Sequence, residues 1–222
     1  YQNGAYTRWL FNTIMYAVVA GVGATIIATF AGYAIATMRF PGRNALLAVT
    51  LAFMSIPSTV ITVPLFLMYS KIGLVGTPWA VIIPQLATPF GLYLMIIYAQ
   101  TSIPVSLIEA AKLDGASTWT IFWKVGFPLL SPGFVTVLLF TLVGVWNNYF
   151  LPLIMLSDTN DYPLTVGLNM WLKMGAQGTA NGQVPNNLII TGSLIAVVPL
   201  IIAFMFLQKY WQSGLAAGSV KQ

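Results

Sequence analysis

The chain has 222 residues, of which 58% are hydrophobic and only 6% are charged. A soluble globular domain carries charge on about a quarter of its residues, so this composition excludes a soluble fold and indicates a membrane protein. The formal net charge of +5 comes from scattered basic residues, a distribution that excludes a continuous nucleic-acid-binding surface.

The residue inventory also restricts the chemistry of the chain. It contains no cysteine and no histidine, and its acids are Glu109, Asp114, Asp158 and Asp161. Because proton transfer and metal binding in proteins depend mainly on these residue types, the sequence predicts no catalytic residue and no metal site. A membrane enzyme is therefore disfavoured.

Five apolar stretches are long enough to cross a hydrocarbon core, which requires roughly 20 helical residues. They cover residues 10–38, 45–69, 79–98, 129–156 and 188–207. Their continuous apolar character favours helices over the short alternating segments of a barrel. The predicted fold class is an all-α polytopic membrane protein.

The basic residues between these stretches predict the orientation. One set of alternate connections holds six of them, namely Arg39, Arg43, Lys112, Lys124, Lys209 and Lys221. The opposite side holds three, Arg8, Lys71 and Lys173. Because cytoplasmic segments are enriched in lysine and arginine, the first set and the C-terminus are predicted to be cytoplasmic. The chain then starts outside, which predicts one further helix upstream of Tyr1 and six helices in the parent protein.

Small residues recur every fourth position along the first predicted helix, at Ala20, Ala24, Ala28, Gly32 and Ala36. This spacing places them on one helix face and predicts a seam where another helix packs closely. The alternative is an alanine-rich helix without a special partner.

The connection between the third and fourth stretches carries strong helix signals. Pro104 is suited to a first helical turn and Gly115 to a left-handed stop. Ser117 is a plausible N-cap for a second short helix, which Gly126 and Pro128 are expected to end. Apolar residues are too frequent here for a solvated connector, so the segment is predicted to contact a partner.

The phrase EAAKLDGA in this connection resembles the EAA loop of ABC importer permeases, in its carbohydrate-importer form. The matching residues are Glu109, Ala110, Ala111, Asp114, Gly115 and, at the next stretch, Pro128. In that family the loop is a coupling helix seated on an ATPase subunit. The resemblance therefore assigns residues 103–127 to ATPase coupling. The alternative is an amphipathic loop in which Glu109 pairs with Lys112.

Further matches extend the resemblance over the whole chain, at NGAYTRWLFNT, RFPGR, WNNYFLPL and GLAAGSVK. The chain is similar to the smaller permease of the maltose importer family, which implies a type I ABC importer permease fold over residues 1–222 as a single domain. Asn148 departs from the pattern, because many relatives have aspartate there. The tail SGLAAGSVKQ, residues 213–222, is glycine-rich and expected to be flexible by itself, and in that family similar tails reach between the two ATPase subunits.

The resemblance also implies the partners and the location. These are a second, non-identical permease, two ATPase subunits that bind ATP and Mg, an extracytoplasmic solute-binding protein, a carbohydrate and the lipid of the bacterial inner membrane. The chain lacks the phosphate-cradling GxxxxGK[ST] motif, so ATP hydrolysis is expected in a partner and no cofactor is expected here.

A carbohydrate pathway needs amides for hydroxyl groups and flat aromatic faces. Within the predicted spans these are offered by Gln85, Trp146, Asn147, Asn148 and Tyr149. Hydrogen bonding between helices and an interfacial aromatic belt remain alternatives for them. In the resembled family most sugar contacts come from the larger permease. A chain that forms the wall of the cavity without binding the sugar is therefore a further alternative. The loop 157–187 could meet the binding protein or be an ordinary solvated loop.

Two other functions are alternatives to an ATP-driven permease. A proton-driven transporter needs an ionisable group within the membrane, and no predicted span carries one centrally. A sodium site built from carbonyls at broken helices stays open. A non-transporting structural subunit would leave the docking motif unexplained.

Overall fold

The computed structural model describes residues 4–176 and 186–219, and all regular structure within these ranges is helical. The predicted all-α fold is confirmed. The α-helices are α1 Ala5–Thr37, α2 Arg43–Met54, α3 Ser58–Lys71, α4 Trp79–Gln85, α5 Pro89–Ser102, α6 Val105–Leu113, α7 Thr118–Ile121, α8 Phe127–Trp146, α9 Phe150–Met155, α10 Leu164–Ala176 and α11 Asn186–Ser219. A π-helical turn, Phe122–Gly126, joins α7 to α8.

Four described helical stretches are long and apolar enough to cross a membrane. They are Ala5–Thr37, Trp79–Ser102, Thr118–Trp146 and Asn187–Phe206. A fifth crossing requires α2 and α3 together, and these helices are bent by 103°. The chain is therefore a multi-pass membrane protein with four or five candidate spans.

The predicted span over residues 45–69 is divided into two helices in the structure, because the helix breaks before Pro57. Pro57 has no N–H group and adopts φ −58° and ψ 129°, outside the helical region. The ring also disfavours helical geometry at the preceding residue, so α2 ends at Met54 and α3 starts afresh at Ser58.

The predicted span over residues 129–156 also differs from the structure. Its helix starts earlier, at Thr118, and ends at Trp146, after which α9 begins at Phe150. Asn147 lies directly after this end and donates from its side chain to the Val143 carbonyl oxygen. Such local competition for backbone carbonyls is typical of asparagine at a helix end.

The described residues fall into two compact units, each with its own core. The first comprises Tyr1–Gly21, Pro57–Gln85 and Leu142–Met205, and the second Val22–Ile56, Leu86–Thr141 and Phe206–Gln222. The first core is built around residues such as Trp9, Tyr16, Val81, Met155 and Leu164. The second is built around residues such as Tyr33, Met95, Phe122, Leu130 and Val137.

The small-residue seam of α1 is buried except at Ala36, which is half-buried, as expected of a packing surface. Ala20 and Ala24 are 0% exposed and Ala28 is 2% exposed. A Cβ atom on Gly32 would lie 2.5 Å from the Cβ of Met95, so α5 approaches α1 closely at this glycine. Only a residue without a side chain fits there.

Helix α11 continues to Ser219, so the predicted flexible tail is helical over its described part. No proline follows Pro199 in the chain, and the tail is rich in residues that tolerate a helix.

Candidate functional site

Helix α6, Val105–Leu113, ends in a Schellman motif that fixes the direction of the chain after it. The Gly115 N–H donates to the Lys112 carbonyl oxygen and the Ala116 N–H to the Ala111 carbonyl oxygen, both at 3.0 Å. Gly115 has φ +77°, a left-handed conformation that favours glycine. The predicted left-handed stop is confirmed.

Ser117 caps the next helix, as predicted. Its Oγ accepts a hydrogen bond of 3.2 Å from the Thr120 N–H and lies 2.8 Å from Thr120 Oγ1. Such a cap satisfies a backbone donor that the first helical turn leaves unpaired. The predicted helix, turn, helix element therefore forms.

The prediction that Gly126 and Pro128 end this second helix is wrong. The Phe127 N–H donates to the Phe122 carbonyl oxygen five residues earlier, and α8 continues from this π-helical turn without a break. Proline has no N–H and its ring crowds the carbonyl four residues back, so a locally wider turn accommodates Pro128. The sequence feature that indicates such a wider turn is a proline inside an apolar run.

Aromatic contacts attach the second half of the segment to α1. The Phe122 ring lies 4.8 Å from that of Phe30 and 5.0 Å from that of Tyr33. Trp119 stacks on Phe30 at 5.7 Å. A Cβ on Gly126 would lie 2.7 Å from the Tyr33 ring, so backbone and ring are in direct contact. These contacts fix the π-helical turn against the long first helix.

Helix α6 buries one side and exposes the other. Ile108 packs into the core at 8% exposure, whereas Val105 is 67% and Leu113 is 89% exposed. Among the resemblance residues, Ala111 is half-buried and the exposed ones are Glu109, Ala110, Asp114, Gly115 and Pro128. The structure records no ion pair between Glu109 and Lys112, both of which it describes. The exposed side thus presents carboxylates, a small alanine and uncovered apolar side chains.

Two of the predicted pathway residues are hydrogen-bonded to each other across helices. Asn148 Nδ2 donates to Gln85 Oε1 at 3.1 Å, and Gln85 Nε2 donates to the Val81 carbonyl oxygen at 2.9 Å. Thr165 Oγ1 donates to the Asn148 carbonyl oxygen at 2.8 Å, and the Leu151 N–H donates to Asn148 Oδ1 at 3.4 Å. The pair joins the end of α4 to the break between α8 and α9.

The other three pathway residues have different surroundings. Trp146 is only 8% exposed and belongs to an apolar cluster with Trp9. The Tyr149 hydroxyl donates to Asn169 Oδ1 at 3.0 Å, a contact that sequence reasoning missed because α10 is distant in the chain. Asn147 is exposed, and its side-chain carbonyl has no recorded partner among the described residues.

The loop after α9 is hydrogen-bonded to the first helix. This contact is not predicted from the sequence either. Four α1 side chains hold the loop through hydrogen bonds of 2.7 to 2.8 Å: Trp9, Asn12 and Tyr16 donate to the carbonyl oxygens of Thr159, Asn160 and Asp161, and Thr13 accepts from the Leu164 N–H. An open cavity of about 840 Å³ lies beside this contact, lined in part by Arg8 and Phe11. Residues 177–185 of the predicted outer loop lie outside the described residues.

Residues 24–216 match the family described as binding-protein-dependent transport system inner membrane component. The chain belongs to this family. The permease is 32% identical over 220 residues to the arabinooligosaccharides transport system permease protein AraQ of Halalkalibacterium halodurans, covering 99% of this chain and 76% of the relative. It is 35% identical over 213 residues to the osmoprotective compounds uptake permease protein GgtD of Synechocystis, covering 95% and 69%.

A solved structure agrees with these matches. The permease superposes with a TM-score of 0.79 and 27% identity on a chain of a bacterial ABC transporter involved in the import of the acidic polysaccharide alginate, covering 95% of this chain and 76% of that one. The fold is therefore that of an ABC importer permease, and the chain is a membrane-embedded transporter subunit of an ATP-driven importer.

Proposed function

We propose that residues 1–222 form one permease domain that imports a carbohydrate in the bacterial inner membrane. It works with a second, non-identical permease, two ATPase subunits that bind ATP and Mg, and an extracytoplasmic solute-binding protein. The names of the similar proteins support a carbohydrate, since they include an arabinooligosaccharide permease and an alginate importer. The observation that carries the coupling role is the exposed side of α6.

Residues 103–127 are the proposed ATPase-docking segment. Ala110 and the half-buried Ala111 are small enough for a partner surface to approach the helix closely. Glu109 and Asp114 offer exposed carboxylates to basic groups or N–H donors of the partner. Leu113, at 89% exposure, would be covered by such a partner.

The contacts of the docking segment would allow it to transmit a displacement to the membrane spans. The left-handed Gly115 fixes the angle between α6 and α7, and the π-helical turn continues into α8, at whose start Pro128 lies. Contacts of Phe122 and Gly126 with Tyr33 link this unit to α1. Closure of the ATPase subunits would therefore move docking segment and spans together as a rigid body.

The proposed carbohydrate pathway runs past Gln85, Trp146, Asn147, Asn148 and Tyr149. Asn147 is the direct candidate for a sugar hydroxyl, because its amide is exposed at the end of α8. Gln85 and Asn148 already bond to each other and would position the helix break. Trp146 and Tyr149 would wall the cavity.

The coupling role is tested by co-purification from membranes. Proline at position 115 forces a negative φ and removes the N–H that bonds Lys112, so Gly115→Pro is expected to lose the ATPase subunits and retain the second permease. The matched control is Gly73→Pro, which introduces the same backbone conflict at φ +71°, between α3 and α4. Loss of the ATPase in both variants, or in neither, would contradict docking by this segment.

The pathway is tested by ATP-dependent uptake of labelled oligosaccharides. Asn147→Leu is expected to reduce uptake about tenfold or more, because one hydrogen bond to a buried sugar hydroxyl contributes about 1.4 kcal/mol, while Asn147→Gln keeps part of it. ATPase co-purification should be unchanged in both variants. Wild-type uptake by Asn147→Leu would remove Asn147 from the pathway.

A further inference from the structure

The corner between α1 and α2 carries a positively charged cavity that the proposed function does not use. The cavity opens at the surface with a volume of about 320 Å³. Its lining includes two arginines and consists of Arg39, Phe40, Gly42, Arg43, Asn44 and Ala45.

The two arginines lack a counter-charge within the described part of the chain. Arg39 is exposed and has no recorded partner there. Arg43 is half-buried, and its recorded contact is a hydrogen bond of 3.3 Å from Nη2 to the Ala36 carbonyl oxygen. None of the four acidic residues of the chain lines the cavity. Two guanidinium groups are therefore available to an anion, and their planar donors suit phosphate oxygens.

The backbone adds to this positive potential. Gly42 precedes α2 in a left-handed conformation with φ +88°, and no side chain caps the helix. The first N–H groups of α2 consequently end at the same corner as the arginines, where the helix dipole also favours negative charge.

An exposed apolar strip continues from the charged corner along α2. Leu46, Val49 and Phe53 lie three and four positions apart, on the helix face that begins at Arg43, and are 47%, 50% and 49% exposed. A small soluble anion would leave this strip uncovered. An amphiphile with an anionic head and a hydrocarbon chain would match both parts.

We infer that the corner of α1 and α2 is a binding site for an anionic phospholipid. The phosphodiester headgroup contacts Arg39 and Arg43, and an acyl chain lies along Leu46, Val49 and Phe53. Basic pockets between membrane helices bind lipid headgroups by this combination of charge and apolar contact. The inference requires only that the chain is membrane-embedded and is independent of the substrate and of the docking segment.

The test is native mass spectrometry of the importer purified from membranes and titrated with phosphatidylglycerol. Each arginine near an anionic lipid contributes a factor of about five in affinity, so Arg39→Gln/Arg43→Gln is expected to weaken retention about 25-fold. Arg39→Gln alone should weaken it about fivefold without disturbing the fold, because Arg39 makes no recorded contact with the described protein. Arg39→Lys/Arg43→Lys keeps the charge and should retain most of the binding.

The matched control is Lys71→Gln/Lys173→Gln, which removes the same net charge from two exposed positions elsewhere. It should bind phosphatidylglycerol as the wild type does. Equal loss in both double variants would show general surface attraction and overturn the site. Competition by millimolar inorganic phosphate, or absence of bound lipid in the assembled importer, would overturn a lipid occupant in favour of a soluble anion or a covering partner subunit.

Discussion

At Gly115 the backbone, and not the available space, forbids a side chain. Nothing lies within 4 Å of the position that a Cβ would occupy, but φ is +77°. Gly115→Ala is therefore expected to destabilise the protein by about 1 kcal/mol, which lowers Tm by roughly 2 to 4 °C. Thermal unfolding in detergent measures this change.

The control for that variant is Gly144→Ala. Gly144 lies in α8 with an ordinary helical φ, and nothing surrounds its Cβ position. Alanine there should leave Tm unchanged or raise it, because glycine lowers helix stability by about 1 kcal/mol relative to alanine. An equal loss of stability in both variants would contradict the conformational argument.

The bond between Asn148 and Gln85 is the second residue-scale feature with a measurable consequence. Each single replacement by alanine leaves the other amide without its partner, whereas the double variant removes both groups. A double-mutant cycle of Asn148→Ala and Gln85→Ala is therefore expected to give a coupling energy of about 1 kcal/mol in thermal unfolding. A coupling energy near zero would mean that the recorded bond of 3.1 Å does not contribute to stability.

At the scale of elements, α10 approaches α1 at a point where only glycine fits. A Cβ on Gly167 would lie 2.1 Å from Cε3 of Trp9, a ring that is 1% exposed and cannot move aside freely. Gly167→Ala is expected to destabilise the protein by about 1 to 3 kcal/mol, measured as loss of Tm. Gly167→Ala combined with Trp9→Phe should recover part of this loss, and an additive further loss would argue against the clash.

The elements also show how far the sequence could predict this fold. The stop at Gly115 and the cap at Ser117 follow from local chemistry, so they are predictable, as is the burial of the α1 seam. A proline can end a helix or lie within one, depending on whether its surroundings accommodate it. The helix breaks at Pro57 but continues through Pro128, so the residue type alone does not predict the outcome. Contacts such as Asn148 with Gln85 join residues 63 positions apart and leave no local pattern.

At the scale of the whole molecule, the basic residues predict a cytoplasmic docking segment and C-terminus. The chain contains no cysteine, so single cysteines can be labelled without background. Expressed without partner subunits, Ser106→Cys should react with an impermeant maleimide only in inverted vesicles, and Ser157→Cys only in intact spheroplasts. Both positions are exposed. Labelling of both from one side, or each from the opposite side, would contradict the predicted topology.

The π-helical turn at Phe122–Gly126 makes this part of the chain tolerant of the loss of one residue. A π turn holds one residue more than an α turn, and each residue of an α-helix rotates the chain by about 100°. Deleting one residue from this turn would convert it into an α turn and keep the angular phase of α8 relative to α7. A one-residue gap in the α-helical part of α8 would instead rotate the side chains beyond it by about 100°, and would alter which of them the span presents.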